Sequence, residues 1–172
     1  ELGFGLSEGA EPVVFPLGDG TTLRFRGSAD RVDIADDDAI AVVDYKTGST
    51  RAFSGLDEDD PTVAGTKLQL PVYALAAQRA FGTDETPVRA DYWFVSTKGG
   101  FQEIGYEYSP HVYQEFLVTL ATITGGVRKG VFPAHPEEPT SWKGWISCPW
   151  CDPDGLESHD RYREWERKRL DP

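Results

Sequence analysis

The sequence predicts an α/β (α+β) fold: a central mixed sheet of about five strands flanked by helices. Three observations carry this expectation. Short β-rich segments are separated by turn signals, Asp19-Gly20, Asp36-Asp37-Asp38 and Lys98-Gly99-Gly100. Two longer segments repeat their apolar residues at helical spacing. The run Ala39-Ile40-Ala41-Val42-Val43 is apolar without interruption, as in a strand covered on both faces.

Taken in order, residues 13–17 read as a short strand closed by the Asp19-Gly20 turn. A second strand, from Thr21 to about Ile34, alternates at first: Leu23, Phe25 and Gly27 lie to one side, Arg24, Arg26 and Ser28 to the other. The third strand, Ala39 to Lys46, ends at Thr47-Gly48. Residues 49–64, with Gly55, Asp57-Glu58-Asp59-Asp60 and Pro61, read as a solvated loop. Helix character follows from about Thr66 to Ala80. Pro71 is tolerated only in a first turn, which moves the regular start toward Leu70. A hairpin comes next, Val88 to Thr97 and Phe101 to Tyr108, rich in aromatic residues suited to a packed sheet. The last long helix runs from about Pro110 to Lys129, with Val112, Phe116, Leu120 and Ile123 on one side. Residues 131–157 contain five prolines, which precludes long regular elements there. Residues 160–170 read as a short polar helix. The expected division is a domain over residues 1–157 and a tail over 158–172.

Composition narrows the function classes. A chain of 172 residues with 39% hydrophobic content can bury a core, and 12% aromatic content argues against disorder. No apolar stretch is long enough for a membrane span, so the expected setting is cytoplasmic with no membrane partner. Two cysteines cannot make a disulfide-rich secreted scaffold. The net charge of -12 disfavours sequence-blind coating of a polyanion, yet it leaves room for nucleic-acid chemistry where metal ions offset the carboxylates.

The placement of the acids is more informative than their sum. Asp30 and Asp33 lie in Gly27-Ser28-Ala29-Asp30-Arg31-Val32-Asp33; ten residues later comes Asp44-Tyr45-Lys46-Thr47-Gly48. Asp44 and Lys46, two apart on one strand, project to the same face. A carboxylate and an ammonium buried side by side are costly unless they satisfy each other or bind something. Asp30, on the neighbouring antiparallel strand, is placed to face the same point. Carboxylates brought together repel, and Mg²⁺ or Mn²⁺ relieves that repulsion while retaining water and room for a substrate phosphate. Such an ion acidifies water and offsets phosphoryl charge, and Lys46 would orient the water or stabilise the same charge. The plainer alternative is a strand-end ion pair with no chemistry attached. Gln69 and Tyr73 stand i, i+4 on one helical face. No Ser or Cys nucleophile with an adjacent His competes with this set.

These three motifs, closing with Gln69-Leu70-Pro71-Val72-Tyr73, resemble in order and spacing the RecB-like branch of the PD-(D/E)XK nuclease superfamily. The resemblance spans roughly residues 20–155. It implies a restriction-endonuclease-like core and a metal-dependent DNA exonuclease of repair or recombination. It also implies DNA as partner, with a helicase or other domains of a parent protein. Asp30 and Asp44 would bind Mg²⁺ or Mn²⁺ with help from the Tyr45 carbonyl. Lys46 would serve the attacking water, and Gln69 and Tyr73 would support the site or touch DNA. Family members often add an upstream helix whose His or Glu completes the metal shell. The chain begins at Glu1 without an initiator Met, so the expectation is a fragment of a longer protein lacking that helix.

The cysteine pair departs from the family pattern. Cys148-Pro149-Trp150-Cys151 resembles the tail of a subgroup that carries a [4Fe–4S] cluster, but four thiolates are required and the sequence has two. An intact cluster is therefore not expected. A zinc site from His135, Cys148, Cys151 and His159 is arithmetically open, as is a redox role for the pair. Arg31, Arg161 and Arg163 are the candidate contacts to a DNA backbone. The alternatives to a nuclease are a non-catalytic DNA-binding or scaffold domain that keeps the fold, and a zinc-binding or redox module centred on the cysteines.

Overall fold

The computed structural model describes residues 1–7, 9–131, 166 and 167. The chain divides into two compact units, Glu1–Gly125 and Gly126–Pro172. The first unit holds eight strands and the helix α1 (Gln69–Phe81), and most of α2 (Pro110–Arg128). Its strands are β1 (Leu2–Phe4), β2 (Val13–Pro16), β3 (Thr22–Phe25), β4 (Gly27–Ala29), β5 (Arg31–Ile34), β6 (Ile40–Lys46), β7 (Val88–Phe94) and β8 (Glu103–Glu107). The central sheet has the order β5-β6-β7-β8. It is mixed, because β6 and β7 are parallel and the two outer pairs are antiparallel. Among the described residues no helix is long and apolar enough to cross a membrane.

The strand expected over Thr21 to Ile34 is three strands, because each segment pairs with a different partner. β3 closes a hairpin with β2, β4 pairs with β1, and β5 pairs with β6. The handover between β4 and β5 falls at Asp30. β1 had no counterpart in the sequence reading: three residues, Leu2-Gly3-Phe4, are too few to show a period. Phe4 is nonetheless completely buried, and its ring meets Tyr73 edge-on at 6.0 Å.

Parallel strands need a long crossover, and residues 47–87 supply it. α1 begins at Gln69, three residues later than Thr66, for a backbone reason. Val63, Ala64 and Gly65 have φ of 48°, 50° and 84°, a left-handed turn that cannot run on into a right-handed helix. Pro71 falls in the first turn, where its missing N–H costs nothing. Leu70, Val72, Ala74, Leu75, Ala76 and Ala77 are buried, and the helix lies against β6 and β7.

The 49–64 segment is packed where the sequence reading had a solvated loop. It opens with a 3₁₀ turn, Thr50–Phe53, and Leu56, Pro61 and Thr62 are buried. Phe53 packs edge-on against Tyr92 at 4.7 Å and Phe94 at 5.2 Å. The buried hydroxyl of Tyr106 donates to the Pro61 carbonyl at 2.9 Å. The polar composition of this segment belongs to its exposed positions, Asp57, Glu58 and Asp59, and hides the apolar anchors between them.

One core joins the inner sheet face (Val42, Ala90, Tyr92, Tyr106) to both helices and the β2–β3 hairpin, where Phe15 meets Phe116 at 4.9 Å. β7 and β8 approach closely at Gly105: a Cβ there would lie 2.0 Å from the Ala90 carbonyl oxygen, so a side chain does not fit.

Candidate active site

Asp44 and Lys46 occupy the C-terminal end of β6 on the face turned toward α1, beside Val42. Burial of the strand makes this an expensive place for charge, and Asp44 is only 4% exposed. The Lys46 ammonium contacts Oδ2 of Asp44 as an ion pair. It also donates to Oε1 of Gln69 at 3.1 Å. Gln69, the first residue of α1, uses its amide nitrogen twice, donating to Oδ1 of Asp44 at 3.2 Å and to the Tyr73 hydroxyl at 3.1 Å. Carboxylate, ammonium, amide and phenol thus form one connected network, with the i, i+4 spacing of Gln69 and Tyr73 realised on the helix. Tyr92 stands opposite Asp44 in the parallel register, and the Lys46 ammonium lies 5.0 Å from its ring centroid.

Asp30 reaches the same strand end by another route. Its Oδ2 accepts the Tyr45 backbone N–H at 2.9 Å, fixing the carboxylate at the peptide between Asp44 and Tyr45. The two acids feel each other. Burial pushes the Asp44 carboxyl above its ordinary range; Lys46 opposes that shift and the Asp30 charge adds to it. Burial likewise raises the Tyr73 hydroxyl, with both carboxylates adding to the effect, so it stays a neutral phenol.

The Tyr45 side chain projects to the opposite sheet face, as strand alternation requires. There Arg31 donates to its hydroxyl at 3.3 Å, pairs with Asp33 at 2.7 Å and lies 5.6 Å from the Trp93 ring centroid. Asp33 first, and then Tyr45, raise the Arg31 pKa further, and the guanidinium is permanently charged. Asp30, Asp44, Lys46, Gln69 and Tyr73 therefore converge, while Arg31 belongs to the other face. Cys148, Cys151, Arg161 and Arg163, and with them the zinc and cluster readings, lie outside the described residues. His111 sits on α2 and pairs with Asp59 at 3.0 Å.

The two carboxylates, Asp30 and Asp44, are hard oxygen donors of the kind Mg²⁺ takes. Among the described residues no group of three or more His, Cys, Asp or Glu is gathered as a metal cluster. Two residues of the network escaped the sequence reading. Tyr92 underlies Lys46, brought there by the parallel β6–β7 register, a long-range feature, and Phe53 from the 3₁₀ turn packs on Tyr92.

Comparison with known proteins agrees with this geometry. Residues 1–154 match the family model described as the PD-(D/E)XK nuclease superfamily. A stretch of 50 residues is 48% identical to an ATP-dependent helicase/deoxyribonuclease component from Anoxybacillus flavithermus (strain DSM 21510 / WK1). That stretch covers 27% of this chain and only 4% of the longer relative. With the family match running through every element of the site, the chain belongs to the PD-(D/E)XK nuclease superfamily.

Proposed function

We propose that this chain is the RecB-like, metal-dependent deoxyribonuclease domain of a larger DNA repair or recombination protein, acting as an exonuclease. The observation that carries the reading is the Asp44–Lys46–Gln69–Tyr73 network closed by Asp30 at the same strand end. Residues 1–157 form the nuclease-like domain in this proposal, and the helicase named in the matched relative suggests the kind of partner it works beside.

Asp30, Asp44 and the Tyr45 carbonyl would hold Mg²⁺ or Mn²⁺, and the bound ion would acidify water and offset charge on the phosphoryl oxygens. The protein's own groups do the rest. Asp30 accepts the Tyr45 backbone N–H, which helps to preorganise one carboxylate. Lys46, held by Gln69, keeps its ammonium at the Asp44 carboxylate, where it orients the attacking water and stabilises the anionic oxygen that develops. Tyr73 holds Gln69, so its contribution is positional.

The test is cleavage of an end-labelled oligonucleotide by the full chain with Mg²⁺ or Mn²⁺. Metal-dependent release of nucleotides, lost in Asp44→Asn and Lys46→Met, is expected. Retention of the wild-type rate in either variant would sink the assignment.

A second reading is favoured by one observation: the Asp44 carboxylate is already compensated by Lys46, and the described residues supply only two acids. A domain that keeps the fold and binds DNA without cutting it would look the same. Calorimetric titration with Mn²⁺ separates the two, because a carboxylate-dependent site lost in an Asp30→Ala/Asp44→Ala variant belongs to the nuclease alone.

A further inference from the structure

Tyr92 and Phe53 connect the candidate site to a second cation. Lys46 lies 5.0 Å from the Tyr92 ring centroid, Tyr92 and Phe53 are 4.7 Å apart edge-on, and Lys67 lies 4.9 Å from the Phe53 centroid. The two ammoniums are therefore no more than about 15 Å apart, within reach of one short nucleic-acid strand.

Lys67 is placed with care for a surface lysine. Its backbone N–H donates to the Thr62 carbonyl at 2.7 Å, and Thr62 is buried. The preceding turn is fixed by Asp60, which accepts the Ala64 N–H with both carboxylate oxygens at 3.0 Å, and by the Thr66 hydroxyl donating to Val63 at 2.8 Å. That turn runs through Val63 and Ala64 in left-handed conformation, and β-branched Val is strained there. Strain held by surrounding bonds is typical of ligand-positioning segments. Lys67 is half-buried, and its ammonium rests on an aromatic face. Among the described residues no carboxylate forms an ion pair with it, in a chain with 29 acidic residues. Without such a partner the ammonium is open to an outside anion.

We propose that Lys67 is a second phosphate-binding position, gripping the backbone of the strand whose scissile phosphate lies at Lys46. Phe53 is its pedestal: the ring holds the ammonium by its face without neutralising it, as a carboxylate would. The inference rests on the nuclease reading and deepens it, since it fixes the substrate as a chain long enough to span both lysines, not a mononucleotide ester. It also answers how a chain of net charge -12 admits a polyanion: the cations that matter are local, and Lys67 has no carboxylate partner among the described residues.

The test is fluorescence anisotropy of a labelled oligothymidylate with the full chain, from about 50 to about 200 mM salt. One fewer phosphate contact lowers the log–log salt slope by about 0.7, and weakens binding about fivefold near 0.1 M salt. Lys67→Gln should show both changes, Lys67→Arg should restore them, and Arg79→Gln, near the opposite end of α1 from Gln69, should show neither. Acetylation footprinting of the unmodified protein gives the same answer without a variant: oligothymidylate should protect Lys67. A wild type that binds the oligonucleotide while Lys67→Gln keeps its slope, or while Lys67 stays as reactive as before, overturns the inference. A wild type that neither binds nor cleaves any oligonucleotide overturns the nuclease reading on which it stands.

Discussion

Lys46 donates a hydrogen bond to Oε1 of Gln69 at 3.1 Å, although 23 positions separate them in the chain. The contact ties the end of the buried strand β6 to the first turn of α1. It exists because the crossover between β6 and the parallel β7 returns the chain over the strand it has just left. Gln69 suits the junction since an amide offers both signs: its oxygen accepts from the ammonium while its nitrogen donates to the carboxylate.

Replacing Gln69 with Leu keeps the volume and removes both functions. Asp44 Oδ1 loses its donor and the Lys46 ammonium loses an anchor. The expected outcome is a fall of about 10–100-fold in metal-dependent cleavage, the scale set by losing a group that orients metal ligands. Stability should drop by about 1–3 kcal/mol, from polar groups left without partners in a half-buried place. Single-turnover cleavage and urea denaturation read the two effects separately. Wild-type activity in the Leu variant would show that the amide orients nothing.

Asp44 and Lys46 should be strongly coupled in stability. Lys46→Met alone leaves a buried carboxylate facing hydrocarbon, at a cost of about 2–4 kcal/mol. In an Asp44→Asn background the same change should cost far less, because the amide carries no charge to compensate. The coupling energy from the four denaturation midpoints is expected at about 1–3 kcal/mol. Additive losses would mean that the pair is solvated and that Asp44 is less enclosed than its 4% exposure indicates.

Much of this site was legible in the sequence because local rules govern it. Strand alternation put Asp44 and Lys46 on one face, and helical spacing put Gln69 above Tyr73. The succession of β6, α1, β7, β8 and α2 along the chain and the α1 boundary near Leu70 followed from hydrophobic periodicity, turn chemistry and Pro71. What was hidden depends on partners far away in the chain. The break at Asp30 arises from a change of pairing partner, not from any local breaker. β1 is too short to announce itself. The loop before α1 is rich in acids and glycine, and its buried Leu56, Pro61 and Thr62 cannot be told from exposed residues without knowing what packs over them.

The outer sheet face gives a pH-dependent prediction away from the site. Burial raises the Asp91 carboxyl above its ordinary 3.8, and the pairing with Arg89 at 2.8 Å only partly offsets this. A raised carboxyl pKa means the folded protein binds more protons than the unfolded chain between the two values. Stability is therefore lost as pH rises from 3.8 through the folded value, and the cost is complete above it. Asp91→Asn removes that titration. The stability of the variant minus that of wild type should rise as pH climbs from 3.8 through the folded value, then level off. Guanidinium denaturation at a series of pH values measures it, and a difference that is flat or falling would show that Arg89 outweighs the burial.

Tyr106 offers a test of how firmly the loop before α1 is held. Its hydroxyl, buried in the core, donates to the Pro61 carbonyl at 2.9 Å. Burial pushes its pKa far up, so the hydroxyl remains a donor at every pH the fold tolerates and the tether does not titrate. Tyr106→Phe keeps the ring and leaves the carbonyl without its partner, which should cost about 1–2 kcal/mol. The loss should concentrate in the loop, because β8 keeps its ladder to β7 and the ring keeps its place in the core. Amide hydrogen exchange is then expected to accelerate about tenfold at Thr62 to Lys67 for each 1.4 kcal/mol lost, while the β6–β7 amides keep their protection. If Lys67 depends on that turn for its position, the same variant should weaken oligothymidylate binding in proportion to the loop's opening. Acceleration spread evenly over the sheet would place the Tyr106 hydroxyl among the global determinants of stability and would show that it does not hold the loop specifically.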